Sequence, residues 1–348
     1  MSNLPAWWVR DFDFPRMQIS ICLFALLLVQ LLFLDLANLL SVLLVVVTLL
    51  CLVHQLWWII PYTVVFPCEV KPAGVRTQNV DQRDQHILRI LTANVLTPNR
   101  NAGELIKQVR ETSPDILVTL ESDSWWQNQL EALETQYSYT IRCPLDNLYG
   151  MHVYSRLPLS DCHIEFLIEH DVPSMHALVE LRSGQQVRTH FLHPAPPSPT
   201  ENEDSSERDA ELIIVAQSIA GSDEPIVVTG DLNDVAWSAS TRLFRKISGL
   251  LDPRVGRGMF NTFHADYWFM RWPLDHLFHS NHFTVADIRR LDYFGSDHFP
   301  LLTELEYCPA QAQCNDARLD NDAADREQAR KTAARKDASA SDVPSPGE

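Results

Sequence analysis

The strongest constraint on this 348-residue chain is a continuous apolar stretch close to its N-terminus. From residue 17 to residue 61, Asp35 is the only formally charged side chain. About 20 apolar residues span a bilayer, so the stretch is long enough for two crossings. It predicts transmembrane helices at 17–34 and 36–60. A cleaved signal peptide is disfavoured, because the apolar region far exceeds the usual ~7–15 residues and no small-residue cleavage site follows it.

Aromatic and basic residues flank this segment. The aromatic flanks, which suit the interface between lipid and water, are Trp7, Trp8, Trp57, Trp58 and Tyr62. We therefore expect an integral, multi-pass protein of the cell membrane. With two crossings, the basic residues on both sides place both ends in the cytoplasm. One crossing, or a further one over 54–66, reverses the side of the domain that follows, so the sequence leaves the orientation open.

The rest of the chain divides by composition. Residues 1–16 form an N-terminal flank, 62–85 a polar linker that contains proline, and 86–308 the region with strand and helix patterns. Residues 309–348 are rich in Ala, Asp, Arg and Ser and contain almost no large apolar side chain. Such a tail cannot bury enough surface to order itself, so we predict that it is disordered.

Charge and cysteine content limit the kinds of ligand that the chain is expected to bind. The formal net charge is −17, and residues 67–308 carry 20 basic and 34 acidic side chains. A protein that grips a long polyanion usually shows a basic surface, because neutralising phosphates supplies most of the affinity. The balance therefore disfavours nucleic acid and favours a divalent cation. Seven cysteines without a C-x-x-C pair predict no zinc site, and Cys308 and Cys314 would pair only in an oxidising compartment.

One strand pattern ends in a cluster of polar groups. Residues 226–229 suit a buried strand, Gly230 frees the backbone, and Asp231 and Asn233 follow two residues apart. Strand ends are where α/β proteins commonly hold reacting groups. The same residues also suit an ordinary turn in which Asp231 or Asp234 caps the next helix. The residues at the ends of the other strands distinguish between these two interpretations.

Polar groups recur at those other ends. Strand patterns at 86–95, 115–120, 274–280 and 301–305, with alternating segments from 149 to 191, outnumber the helical patterns at 102–112 and 207–220. This predicts an α/β sandwich of two mainly antiparallel sheets. In chain order, the polar groups at strand ends are Asn94, Glu121, His193, Asp231, Asn233, Asp275, Asp297 and His298. Because Mg²⁺ prefers carboxylate and amide oxygens, this set favours metal-dependent phosphoester chemistry.

The same stretches closely resemble those of the endonuclease/exonuclease/phosphatase superfamily, whose fold is that of deoxyribonuclease I. Seven of them occur in the family's order: T-A-N-V (92–95), L-E-S (120–122), G-M-H-V-Y-S-R-L-P-L (150–159), H-F-L-H-P (190–194), G-D-L-N-D (230–234), L-D-H-L-F (274–278) and G-S-D-H-F-P-L (295–301). The resemblance implies a four-layer α/β sandwich as the catalytic domain over 86–308. It extends to a branch with N-terminal membrane helices, which includes an undecaprenyl-pyrophosphate phosphatase and teicoplanin-resistance-type proteins.

The resemblance also implies a metal site and a base. Glu121 is expected to be the principal Mg²⁺ ligand, with Asn94 and Asp297 completing the site and Mn²⁺ as a substitute ion. His298 is expected to accept a proton from the attacking water. Asp275 would hold the His298 imidazole in the useful tautomer, which is how base catalysis near neutral pH is usually arranged.

The remaining positions are expected to surround the phosphoryl group. His193 and Asn233 would donate hydrogen bonds to its oxygens, and Asp231 would lie near the nucleophile or the leaving group, its role as base left open. Positioned donors and a cation stabilise the pentavalent phosphorus. Arg156, in the stretch Y-S-R-L-P-L, is a further candidate for phosphate contact, with a structural salt bridge as the alternative.

We therefore expect a membrane-anchored, Mg²⁺-dependent phosphatase or phosphodiesterase that acts on a lipid-linked or small phosphorylated substrate. The alternatives are a membrane-tethered nuclease and a catalytically silent scaffold, and the complete set of ligand, base and donor positions argues against the scaffold. An aromatic run at 260–272 precedes the strand of Asp275. Core packing accounts for at least half of its rings, and our hypothesis is that the others face the bilayer or an isoprenoid tail.

Overall fold

The computed structural model describes residues 5–74, 84–198, 202–308, 315 and 319–347. The strands within them are β1 Ile87–Asn94, β2 Ile116–Leu120, β3 Tyr139–Cys143, β4 Met151–Ser155, β5 Leu159–Glu165, β6 Ser174–Glu180, β7 Gln186–Leu192, β8 Ile226–Asp231, β9 Asp275–His279, β10 Phe283–Arg290 and β11 Leu301–Tyr307. Six strands form one sheet in the order β10-β11-β1-β2-β4-β3, and five form the other in the order β5-β6-β7-β8-β9. Each sheet has one parallel pair, β1 with β2 and β7 with β8, among antiparallel neighbours.

Helices flank the two sheets. Those in the described residues are α1 Trp7–Arg10, α2 Arg16–Phe33, α3 Leu39–Ile59, α4 Ala102–Thr112, α5 Ser124–Leu130, α6 Ser206–Ser218, α7 Ala239–Ser248 and α8 Ala323–Ala334. Short 3₁₀ turns lie at Asp11–Asp13, Ile60–Tyr62, Glu131–Leu133 and Ala340–Asp342.

Apolar side chains on the inner faces of both sheets pack into one core. Strand alternation directs Val118 and Val153 from the first sheet against Phe191, Val227 and Leu277 from the second. Helices α4 and α5 cover the outer face of the first sheet, and α6, α7 and α8 cover that of the second. Two sheets between two helical layers confirm the predicted α/β sandwich.

The parallel pairs bring polar groups to one edge of the sandwich. The hydroxyls of Thr92 in β1 and Thr229 in β8 lie 3.0 Å apart across the sheets. Two residues further along each strand are Asn94 and Asp231, and Glu121 follows the residue of β2 that pairs with Asn94. Strand register therefore places three groups that are far apart in the sequence at the same height.

The apolar N-terminal segment forms two antiparallel helices, α2 and α3, whose side chains are largely exposed. Both helices are long and apolar enough to cross a membrane. Asn38 caps α3, because its side-chain oxygen accepts a hydrogen bond from the Leu40 N–H at 2.9 Å. This cap explains why α3 begins at residue 39 instead of 36.

The other ends of α2 and α3 dock on the sandwich. Trp237 Nε1 donates to the Asp13 carbonyl at 2.7 Å, and the Tyr62 hydroxyl donates to the Ala236 carbonyl at 2.6 Å. Both rings are buried in a cluster of side chains from both parts of the chain. In the predicted linker, Glu69 forms a buried ion pair with Arg245.

The C-terminal tail differs from the disordered segment expected from its composition. Helix α8 lies against α6 and α7, where Ala329 and Ala333 are buried. Asp322 caps the helix together with Asp325, which also pairs with Lys246 at 2.8 Å. Small side chains suffice here because α6 and α7 supply the large apolar partners, which the composition of the tail does not reveal. Cys314, the predicted partner of Cys308, lies outside the described residues.

Replacing Gly230 by alanine tests the close approach of β7 and β8. Gly230 has a φ of +150°, and an added Cβ would overlap the backbone carbonyl oxygen of Leu192 on β7. We expect Gly230→Ala to lower the free energy of unfolding by more than ~3 kcal/mol, or to prevent folding. The measurement is the urea midpoint of the full chain in detergent micelles, followed by tryptophan fluorescence.

Gly103→Ala in α4 is the matched control. No atom lies within 4 Å of a Cβ added at Gly103, so the urea midpoint should be unchanged or rise by an amount equivalent to at most ~1 kcal/mol. Equal midpoints for the two variants contradict the proposed steric role of Gly230.

Candidate active site

The edge at which β1, β2, β8 and β9 meet holds most of the predicted site residues. Asn94 and Asp231 are the last residues of β1 and β8, and Asp275 is the first residue of β9, directly opposite Asp231. Glu121 follows β2 with a φ of +56°, which turns the chain sharply at the strand end. His298 comes to this edge from the loop that precedes β11.

His298 lies between two buried carboxylates. Its Nδ1 is 2.7 Å from Asp275 Oδ2, and its Nε2 is 3.4 Å from Asp231 Oδ2. Burial alone lowers the pKa of the imidazole, but the negative charges of Asp275 and Asp231 outweigh it, so the pKa is raised. The hydrogen bond to Asp275 fixes Nδ1 as the donor and leaves Nε2 facing Asp231. A proton held here belongs to the coupled group more than to any single residue.

Glu121 is a buried carboxylate that lacks a full set of partners. Its Oε1 accepts a hydrogen bond from Asn94 Nδ2 at 2.7 Å, whereas its buried Oε2 has no partner among the described residues. Burial raises the pKa of Glu121 to about 7, and the charges of Asp297 and Asp231 add to this effect, against Asn94 and His298. A bound divalent cation would satisfy Oε2 and supply the missing positive charge. The residues therefore fit a hard cation such as Mg²⁺.

Asn94 joins the two halves of the site. Its Nδ2 donates to Glu121 and also to Asp231 Oδ2 at 3.2 Å, while its Oδ1 accepts from the Leu96 N–H at 3.1 Å. In this orientation the side chain is a donor to two carboxylates. The metal-ligand role implied by the resemblance requires rotation of the amide, so that its oxygen faces Glu121.

Asp297 lies half-buried beside these groups. Its Oδ1 accepts a hydrogen bond from Ser296 Oγ at 3.3 Å, and its charge contributes to the raised pKa values of Glu121 and His298. Single donor atoms of Asp231, Asp275 and His298 lie within 4.8 Å of one another, which is also compatible with a metal ion. Because Asp275 already binds His298 Nδ1, we place the cation at the unsatisfied oxygen of Glu121.

His193 and Asn233 lie on the same edge, after β7 and β8. Burial lowers the pKa of His193 to about 4, against the opposing effect of Asp231, so its imidazole is neutral near pH 7. Its ring contacts Tyr149 at a centroid distance of 5.4 Å, and its buried Nδ1 has no partner in the described chain. Asn233 Nδ2 donates to the Pro194 carbonyl at 3.0 Å, which links the loops after β7 and β8.

Arg156 does not belong to the site. β4 runs antiparallel to β2, so Ser155 pairs with Ile116 at the start of β2, whereas Glu121 follows the other end. The exposed guanidinium of Arg156 donates to the Ser113 carbonyl at 3.3 Å. The prediction of a phosphate contact was wrong, because it depended on the position of Arg156 in a motif and not on strand direction.

Two neighbours of the site were not singled out from the sequence. The ring of Phe263 lies 4.9 Å from that of His298, and Ser296 Oγ donates to the Asn94 carbonyl at 2.8 Å. Phe263 belongs to the aromatic run 260–272, which the sequence pattern indicated as a whole without showing which ring lies at the site. His276, the residue after Asp275, is buried against Arg254 and the Asp234 carbonyl and so does not face the site.

The model of the Endonuclease/Exonuclease/phosphatase family matches residues 91–298, which is more than half of the chain. No curated protein sequence is matched.

Three solved structures share the fold at low identity. D. rerio TDP2, complexed with a single-stranded DNA product, has a TM-score of 0.55 and 16% identity over 63% of this chain and 99% of that chain. The human Nocturnin catalytic domain, with a bound sulfate anion, has a TM-score of 0.53 and 17% identity over 64% of this chain and 95% of that chain. An endonuclease/exonuclease/phosphatase protein from Beutenbergia cavernae has a TM-score of 0.53 and 19% identity over 64% of this chain and 72% of that chain. Because the family model covers more than half of the chain, including Asn94, Glu121, Asp231 and Asp275, this chain belongs to the endonuclease/exonuclease/phosphatase family.

Proposed function

We propose that this phosphoester hydrolase is anchored in the membrane, depends on Mg²⁺, and acts on a phosphate group carried by a lipid. The observation that carries the proposal is the combination of a buried Asp275–His298–Asp231 group with the unsatisfied Oε2 of Glu121 at one edge of the sandwich. Attack of water on phosphorus requires a base and benefits from a metal ion. Here the base system lies beside an unsatisfied carboxylate oxygen that can bind such an ion.

Each residue has a role in this reaction. Asp275 fixes the tautomer of His298, and the His298–Asp231 pair takes the proton of the attacking water. Glu121, with Asp297 and a rotated Asn94, would hold the cation. Bound there, Mg²⁺ would supply charge neutralisation and Lewis-acid polarisation of a phosphoryl oxygen.

Phosphate orientation falls to the loops after β7 and β8. The neutral imidazole of His193 can donate from its unpartnered Nδ1, provided that this nitrogen carries the proton. One amide hydrogen of Asn233 remains after its bond to Pro194. Both donors therefore support the binding of phosphoryl oxygens in the transition state.

The position of the membrane helices supports a lipid substrate. Gln18 in α2 donates from Nε2 to the Phe269 carbonyl at 2.9 Å, and the rings of Phe14 and Trp272 pack at 5.6 Å. The loop that makes these contacts exposes Tyr267, Trp268 and Phe269, with Trp268 81% accessible. An aromatic loop attached to the start of a membrane helix suits the lipid–water interface, so the active-site rim would lie at headgroup level.

The charge of the domain also favours a lipid over nucleic acid. Residues 67–308 carry 34 acidic against 20 basic groups, which opposes binding of a long polyanion. The resemblance to membrane-helix relatives that include an undecaprenyl-pyrophosphate phosphatase supports an isoprenoid phosphate. We therefore propose an integral cell-membrane enzyme for lipid-linked phosphates over a tethered nuclease.

Replacing Glu121 by glutamine removes the charge and keeps the size of the side chain. We expect both Mg²⁺ affinity, measured by calorimetry, and turnover of a soluble phosphodiester to fall at least ~100-fold. Glu104→Gln on the surface of α4 is the control and should change neither. Wild-type Mg²⁺ affinity in Glu121→Gln contradicts the assigned cation position.

Removing the base system should leave the metal in place. We expect His298→Ala and Asp275→Asn each to reduce kcat by ~10²–10⁴-fold, while calorimetric Mg²⁺ affinity stays within a few-fold of wild type. His163→Ala, at an exposed position in β5, is the control. Full turnover in His298→Ala or Asp275→Asn would contradict the catalytic roles assigned to His298 and Asp275.

The aromatic loop should matter only for lipid substrates. We expect the combined substitution of Tyr267, Trp268 and Phe269 by serine to reduce hydrolysis of a lipid pyrophosphate in vesicles ~10-fold or more, and to leave a soluble phosphodiester unaffected. Tyr139→Ser, on the exposed edge strand β3, is the control. Equal losses of activity on both substrates would contradict a lipid-specific role of the aromatic loop. Salt-sensitive nicking of plasmid DNA in place of lipid hydrolysis would favour the nuclease.

A further inference from the structure

We propose a second lipid site, separate from the active site, which holds one anionic phospholipid with its phosphate at Arg242. The site is a groove between the C-terminal end of α3, the segment 60–69 and helix α7. It rests on the membrane anchoring proposed above, because the bilayer supplies the ligand.

The groove is large enough for part of a lipid. Its cavity measures about 630 Å³, within the roughly 300–1,000 Å³ that is typical of small-molecule sites. Most of its wall is apolar, from Trp57, Ile60, Pro61, Phe66, Val255 and Leu319. A free phosphate or a polar metabolite would leave this wall without a partner, whereas an acyl chain would cover it.

Arg242 places a positive charge at the end of this apolar wall. Neighbouring cations have carboxylate partners: Arg245 pairs with Glu69, and Lys246 pairs with Asp325. Arg242 is half-buried and, within the described residues, has no carboxylate partner; its guanidinium lies 5.1 Å from the ring centroid of Trp58. A half-buried guanidinium with no carboxylate partner in the described part of the chain is able to bind an anion, and a phosphate matches it in charge and in bidentate geometry.

A smaller cavity of about 140 Å³ also has Arg242 in its wall. Its charged and polar lining residues are Lys246, Asp325 and Gln328, next to Trp58, Ala239 and Leu243. Arg242 thus borders both a mainly apolar space and a more polar one. A phospholipid has the same order of parts, with acyl chains, a phosphate and a polar headgroup.

The end of α3 sets the depth of the groove. Trp57 is 72% exposed, and Trp58 lies one residue further along the same helix end. Tryptophans at the end of a membrane helix lie at headgroup level, where lipid phosphates also lie. Exposed apolar side chains of α3, among them Leu50 and Val53, precede Trp57 and Ile60 of the groove wall. An acyl chain therefore has an apolar path between the bilayer and the groove.

The test compares lipid binding by full-length variants. Purified protein in detergent micelles is titrated with phosphatidylglycerol or phosphatidylcholine, and bound lipid is counted by native mass spectrometry. We expect one phosphatidylglycerol to bind at least ~10-fold more tightly to wild type than to Arg242→Gln. Arg242→Lys should recover part of this affinity, and Arg110→Gln, on the exposed face of α4, should match wild type.

Three results overturn the second site: equal phosphatidylglycerol affinity in wild type and Arg242→Gln, equal affinity of wild type for the two lipids, or no bound lipid. Turnover of a soluble phosphodiester by the same preparations separates this proposal from the enzymatic one. Arg242→Gln should keep turnover within ~2-fold of wild type. Charge-dependent lipid binding without any turnover would refute the proposed activity alone, and turnover without such binding would refute the lipid site alone.

Discussion

Four carboxylates lie close together at one edge of the sandwich, and the repulsion between them determines how the site is built. Glu121, Asp231 and Asp275 are held near each other by one imidazole and one amide group, and Asp297 adds a fourth negative charge beside them. Like charges in a partly desolvated site repel each other, and a positive charge between them offsets the repulsion. When its imidazole is protonated, His298 supplies part of that charge. A cation bound at the unsatisfied oxygen of Glu121 would supply the remainder.

A buried ion-pair network ties this edge to the N-terminal flank. Arg208 in α6 pairs with Asp209 and Asp234 at 3.0 Å and donates to the Asn233 carbonyl, while Arg10 pairs with Asp209 at 2.9 Å. Loss of one partner from a buried network of this kind typically costs ~3–5 kcal/mol, because a charge is left uncompensated. The loop after Asp231 is therefore fixed from two sides. The apolar helices α2 and α3, which follow the flank, are thereby fixed in position relative to the site.

The sequence predicted most of the strands and the candidate residues of the site, because both depend on local patterns. β-Branched and alternating segments identified β1, β2, β8 and β9, and strand-end polar residues identified Glu121, Asp231 and His298 as candidates. The pattern missed α5, α7, β3 and β10. Helix α7, for example, begins at a Ser238 cap after the short loop that follows the Asp231 strand, and its apolar face is evident only against Phe278 and α6. Composition also misjudged the tail, since α8 owes its burial to partners elsewhere in the chain.

The sequence by itself determined the apolar helices, the class of fold, the acidic charge and the residue types available for chemistry, because periodicity and composition act through near neighbours. Only the tertiary structure decided which of those residues meet. Strand direction removed Arg156 from the site, register set Asn94 between Glu121 and Asp231, and helix docking left Arg242 beside an apolar groove. Such outcomes depend on contacts between segments far apart in the chain, and no local pattern encodes the distance between them.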